Sequence, residues 1–185
     1  MREWFPVSTS PKGRLVLAAV REFGARPYDS VTVGELSSAA EVTTGALYHH
    51  FGSKLAIYDV VRTDVERRLL DRMEGAAAAA RATDPVASAV VRAALLVGFD
   101  FAVREGFTHL LGAPPHREQA SDAESAGGPG DPLAEFLATL VASGPPMLGG
   151  LLAAAWRAAL AAVAAGADPA ATRVALGMLS LDSAA

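Results

Sequence analysis

Apolar positions recur at helical spacing along most of the chain. Leu15, Val16, Ala19, Val20 and Phe23 share one face of a helix of 3.6 residues per turn, and Tyr58, Val61, Val65 and Leu69 repeat the pattern. Polar punctuation marks where helices begin. Ser10-Pro11, Asp84-Pro85, Asp131-Pro132 and Asp168-Pro169 each set a capping side chain before a proline. The cap oxygen accepts an orphan N–H, and proline at the first helical position lacks the N–H that would go unpaired. Thr32-Val33-Gly34-Glu35 reads as a capping box, and Ser53 after Gly52 as another cap. The pattern predicts a first helix after Ser10, short helices over 33–40 and 44–51, a long one from Lys54, and a fifth over 86–104. Two or three more follow, ending with 148–165 and 169–181, while the Pro- and Gly-rich stretch 112–132 reads mostly as loop. Alternating β-branched residues are scarce, so the expected fold class is all-α.

Composition sharpens this picture. Hydrophobic residues make up 51% and aromatics only 6% of 185 residues, so alanine, leucine and valine carry the apolar content. Alanine costs least in a helix. The stretch 148–165 is the most membrane-like, but Arg157 near its centre costs about 2.5–3.5 kcal/mol on insertion scales, so a buried helix is expected and no membrane partner. The absence of cysteine excludes disulfides and thiolate metal sites and fits a reducing, cytoplasmic setting. No glycine-rich phosphate loop, HExxH or GxSxG is present, so neither an enzyme nor a cofactor is expected.

Charge adds a faint hint of nucleic acid. Six basic residues face five acidic ones up to Lys54, against ten and fifteen in the remainder. The segment TTGALYHHFGSK, Thr43 to Lys54, carries more. Three short helices before a long one, the third opening on threonine, suggest a helix-turn-helix whose third helix reads base edges. Leu47 and Phe51, four apart, can anchor that helix. Thr43 can cap it and align free N–H groups towards a phosphate. Tyr48 and His50 present polar tips able to donate to phosphate oxygens. Lys54, at a helix start where the dipole disfavours a cation, is tolerated more readily facing a phosphate. His49 and His50 point about 100° apart on a helix, so they do not readily chelate one metal ion.

The stretch from Leu15 to Tyr58 closely resembles the DNA-binding domain of the tetracycline-repressor (TetR) family. The resemblance rests on Ala18-Ala19 and Phe23, Tyr28-Asp29, Val31-Thr32-Val33, and above all on Thr43 to Lys54. It implies a helix-turn-helix domain over 1–53 and a helical ligand-binding and dimerisation domain over 54–185. It also implies a homodimer on a palindromic double-stranded DNA operator, acting as a repressor released by a small-molecule effector. Tyr48, His50 and Lys54 would hold the DNA backbone and Thr44, Gly45 and Ala46 would face bases. Thr32, Thr43 and His49 complete the expected DNA-binding set. The chain departs from the family at Pro27 and Glu41, where glycine is usual, and at Gly34, where a larger residue is. Proline cannot take the left-handed turn, and Glu41 takes it at about 1 kcal/mol.

For the remaining two thirds, Leu148, Leu152, Ala155, Ala159 and Val163 form one apolar stripe and Val174, Gly177, Met178 and Leu181 another. Both suit the expected helix-helix dimer interface or their own subunit's core. A ligand pocket is expected between helices four, five and residues 107–141. Phe99, Phe101, Phe107 and Trp156 are candidates to line it. Asp100 and Arg104 are either a surface i,i+4 pair or polar selectors within it, and His109 and His116 flank the segment LLGAPP. Two other functions fit the residues: a DNA-binding regulator without an effector, or a helical interaction module that has lost DNA binding.

Overall fold

The computed structural model describes residues 9–114, 130–142 and 144–179, and among them all regular structure is helical. Helix α1 (Pro11–Ala25) starts where Ser10 accepts from the Gly13 N–H at 3.0 Å. A single 3-10 turn (Tyr28–Ser30) follows, then α2 (Val33–Ala39) and α3 (Thr44–Phe51). Helix α4 (Lys54–Thr83) runs thirty residues from the Ser53 cap, and α5 (Ala87–Arg104) packs back along it. The remaining helices are α6 (Thr108–Gly112), α7 (Pro132–Leu140), α8 (Leu148–Ala164) and α9 (Pro169–Gly177). Asp131 and Asp168 cap α7 and α9 as their Asp-Pro pairs predict.

Asp84-Pro85 behaves differently. Asp84 terminates α4, its carboxylate accepts from the Val86 N–H at 3.1 Å, and α5 opens only at Ala87 with no side-chain cap. The aspartate therefore closes a turn between two helices rather than starting one. The stretch 112–132 begins with the end of α6, and most of it, His116 included, lies outside the described residues, as does Leu181.

Hydrophobic burial follows the helical faces. Leu15, Val16, Ala19 and Phe23 on α1, and Tyr58, Val61, Val65 and Leu69 on α4, are all buried. The α4–α5 packing depends on Gly98, because a Cβ there would sit 2.8 Å from the Met73 sulfur. Gly24 of α1 likewise lies against the Gly106 carbonyl, where a Cβ would approach to 2.5 Å. That contact sets α1 directly on the α5–α6 turn. No helix is long and apolar enough to cross a membrane among the described residues. Arg157 is buried on α8, where both its terminal nitrogens bind the Asp131 carboxylate and one lies 3.9 Å from Glu66 of α4.

Candidate nucleic-acid interface

Three short elements hold α3 at the surface. Thr32 completes the capping box: its hydroxyl accepts from the Glu35 N–H at 3.2 Å and donates to the Glu35 carboxylate at 2.7 Å. The same carboxylate accepts from Arg26 at 2.9 Å. Hydrogen bonds from Arg26 first, then from the Thr32 side chain and backbone, pull Glu35 down to about 2. The Thr32 proton is thus committed within the fold, and a phosphate contact there would have to use another group.

The turn between α2 and α3 forms around Glu41, whose φ of 53° is the one positive value among the described non-glycine residues. The Glu41 N–H donates to Ser38 and the Val42 N–H to Ser37, both at 3.0 Å, which is a Schellman ending usually built on glycine. Arg14 of α1 pins this turn from below, donating to the Ala40 carbonyl and to Thr9, each at 2.9 Å. Arg14 was invisible to motif reasoning because its acceptor lies 26 residues away. At the other departure, Pro27 takes φ −57° and leads into the 3-10 turn, so the chain leaves α1 by extended backbone and not by a left-handed residue.

Helix α3 stands on Leu47, which is fully buried, with half-buried Phe51 packed beside it. Thr43 caps it by accepting from Ala46 at 3.2 Å. The first-turn N–H groups of Thr44 and Gly45 lie outside the helix's own ladder, as at any helix start. Thr43, Thr44, Gly45 and His49 are exposed, Ala46 and His50 are half-buried, and Tyr48 is 54% exposed. A methyl group at Gly45 would meet nothing nearer than the Thr43 hydroxyl at 3.8 Å, so the fold itself does not demand glycine there. The predicted residues of α3 are thus all at least partly exposed, while Leu47 and Phe51 turn inward.

Lys54 lies differently from the rest. Its ammonium donates to the Tyr28 and Val31 carbonyls at 3.1 and 3.0 Å and sits 3.9 Å from the Tyr28 ring centre. It ties the start of α4 to the 3-10 turn, leaving one of its three N–H groups for any further acceptor.

In the C-terminal part, the candidate pocket residues lie in the following surroundings. Phe99, Phe101, Phe107 and Trp156 are buried in side-chain packing, with the Trp156 indole donating to the Leu95 carbonyl at 3.1 Å. Asp100 does not pair with Arg104 but accepts two bonds from Arg173 of α9, at 2.7 and 3.0 Å, on the exposed surface. Arg104 reaches the neighbouring Glu105. A cavity of about 420 Å³ lies between the α1 end with its 3-10 turn, α4, α6 and the α8 end, and of the described candidates only His109 borders it. The aromatic residues were drawn into the core because filling it removes most apolar area from water. Among the described residues no group of three or more acidic or histidine side chains could hold a metal ion.

Comparison with known proteins agrees with this geometry. Residues 15–61 match the family model for bacterial regulatory proteins of the tetR family. The structure is similar to a TetR-like transcriptional regulator from Rhodococcus sp. RHA1, at 22% identity, over 93% of each chain and with a TM-score of 0.61. A TetR-family regulator from Streptomyces coelicolor A3 aligns at 18% identity over 95% of each chain, with a TM-score of 0.40. The search of curated proteins returned no match. The Rhodococcus likeness is one of fold across both parts of the chain, and it is residues 15–61, within α1 to α4, that match the tetR family of bacterial regulatory proteins.

Proposed function

We propose that the chain represses transcription as a homodimer on a palindromic operator and is released by a small-molecule effector. The observation that carries this is the outward surface of α3. Small residues at its start, Thr44, Gly45 and Ala46, stand over the buried Leu47 anchor with Tyr48 projecting beside them. Small side chains at a helix start allow close approach to a groove floor, and the unpaired first-turn N–H groups suit a phosphate. Thr43, Tyr48 and His50 would contact the backbone, together with the exposed His49. Lys54 would act chiefly by holding the frame, with its remaining N–H available to a phosphate.

The dimer reading is supported by apolar side chains left exposed near and on the last two helices. Met147, Leu151, Val174 and Met178 are 69, 59, 63 and 76% exposed. Pairing two copies through α8 and α9 would cover them, and exposed apolar surface of this kind marks association sites. Two reading helices must then match major-groove half-sites about 34–36 Å apart, so an effector that changes their separation releases DNA.

The test is a selection over randomised half-sites with fluorescence anisotropy on the enriched sequence. Thr44→Gln should change base preference at one or two positions per half-site, with about 1–3 kcal/mol at stake per contact. Tyr48→Phe and His50→Ala should weaken binding to all sequences alike, because phosphates carry no base identity. An unchanged preference in Thr44→Gln would overturn the assignment of α3 as the reading helix.

A further inference from the structure

The cleft of about 420 Å³ is walled on one side by Phe23, Tyr28 and Tyr58, and on the other by His109 of α6 and by Ala161 and Ala164 of α8. Its volume falls within the roughly 300–1,000 Å³ typical of small-molecule sites. We infer that it binds a flat aromatic molecule bearing an amine, and that this is where an effector acts. The inference rests on the proposed release by a small molecule.

Shape argues for a flat, apolar body. The Tyr58 ring meets buried Phe23 edge-on at 5.0 Å and Tyr28 at 4.9 Å, so half-buried Tyr28 is the accessible ring of an aromatic cluster whose other two members back it. Ala161 and Ala164, also on the lining, present only methyl groups. The space these residues border is a slot.

The polar groups around the slot argue for an N–H donor. Asp29 is exposed and His109 half-buried, and neither side chain makes a hydrogen bond or ion pair among the described residues. The Tyr28 phenol is raised by burial first and then by the carboxylates of Asp59 and Asp29, which stand near this end of the cleft. The last turns of α1, α6 and α8 also end at the cleft, adding the partial negative charge of helix C-termini. Near the cleft, Lys54 already binds the Tyr28 and Val31 carbonyls, and buried Arg62 the Leu110 and Ala113 carbonyls. An ammonium therefore finds a carboxylate, whereas no lysine or arginine is among the lining residues to meet a carboxylate.

The position explains how occupancy reaches the DNA. One wall belongs to α1, its 3-10 turn and α4, which frame α3, and the other to α6 and α8. Arg62 binds the Tyr58 hydroxyl at 3.3 Å and the Ala113 carbonyl at 2.9 Å, and Tyr58 and Ala113 line the two opposite walls. A molecule wedged in the slot presses on the pair that Arg62 holds together. A coupling of about five- to 150-fold in DNA affinity is the usual range for such linked sites.

The test titrates the full chain, free of DNA, with 1-naphthylmethylamine, 1-naphthalenemethanol and 1-naphthoate, followed by two-dimensional amide NMR. The amine should give saturable shifts around Asp29 and His109 and bind at least about tenfold more tightly than the carboxylate. Asp29→Asn should weaken the amine about two- to fivefold, the worth of an exposed ion pair, while leaving the alcohol unchanged. Ala164→Phe should abolish binding of both; should that variant misfold by circular dichroism, Ala161→Phe on the exposed neighbouring position fills the same slot. Absent saturation, equal binding of amine and carboxylate, or amine binding undiminished in the filled variants would overturn the site. In a parallel titration on operator DNA, the amine should lower affinity about fivefold or more, and no change would overturn the coupling. Failure of the unliganded chain to bind any operator would instead count against the repressor reading and leave the DNA-free titration standing.

Discussion

Replacing Lys54 by methionine separates a structural tie from a DNA contact. Methionine keeps the apolar stem and removes the ammonium, so it deletes the bonds to the Tyr28 and Val31 carbonyls and the contact with the Tyr28 ring. The Tyr28 carbonyl retains the Val31 N–H at 3.3 Å, so Val31 loses the more important partner. Hydrogen bonds from a charged donor contribute about 1.5–3 kcal/mol each, and the half-buried setting argues for the low end. The ring contact adds about 0.5–1 kcal/mol. Because one carbonyl stays paired, the expected loss is about 2 kcal/mol. With a urea dependence of about 1–3 kcal/mol per molar, the unfolding midpoint should fall by roughly 1 M. The assay is urea unfolding by circular dichroism at one fixed chain concentration, since any self-association adds to apparent stability. A residue serving only as a phosphate contact would leave that midpoint in place and flatten the salt dependence of DNA binding by about 0.9 per subunit. A midpoint shift corresponding to less than about 0.5 kcal/mol would refute the structural reasoning, since ordinary surface substitutions fall in that range.

Glu41→Asn should raise the urea midpoint by the equivalent of about 0.5 kcal/mol, and Glu41→Val should lower it by about 1 kcal/mol or more, because asparagine tolerates the left-handed backbone and a β-branched residue does not. Similar midpoints for both would mean that the turn rearranges. Glu35, held at about 2 against an ordinary value of 4.5, contributes stability that is fully present above pH 4.5 and is lost as pH falls through about 2. Glu35→Gln should therefore remove part of the wild type's acid sensitivity between those values, and superimposable acid-unfolding profiles would contradict the capping-box geometry. Leu151→Glu and Val174→Glu, on positions 59 and 63% exposed, should convert a dimer to a monomer in light scattering without loss of helicity. A wild-type chain already monomeric at micromolar concentration would end the dimer proposal.

Helix starts were legible because capping is local. Ser10, Thr32, Thr43, Ser53, Asp131 and Asp168 each accept an N–H two or three residues ahead, so a short window contains both partners. Helix α3 was legible for the same reason, since the spacing of Leu47 and Phe51 selects its inner face and leaves Tyr48 outside. Asp84 shows the limit of that window: the same Asp-Pro pair serves either a helix start or an interhelical turn, and the packing of α5 against α4 chose the turn.

Long-range partners were decided only by the tertiary structure. Asp100 had Arg104 one turn away, yet Arg173, 73 residues on, captured it with two hydrogen bonds once α9 docked on α5. Lys54 carries a charge that its local sequence leaves unassigned, and two carbonyls more than twenty residues back claimed it. Apolar residues such as Phe101 and Trp156 are equally suited by composition to a core or a cavity wall, and close packing drew them into the core. The cleft gathers residues from Phe23 to Ala165, so no periodicity in any one segment could announce it. Capping and amphipathic spacing act over a few residues and are written in the chain; pairing of charges and placement of cavities depend on which surfaces meet, and that is settled only when the helices pack.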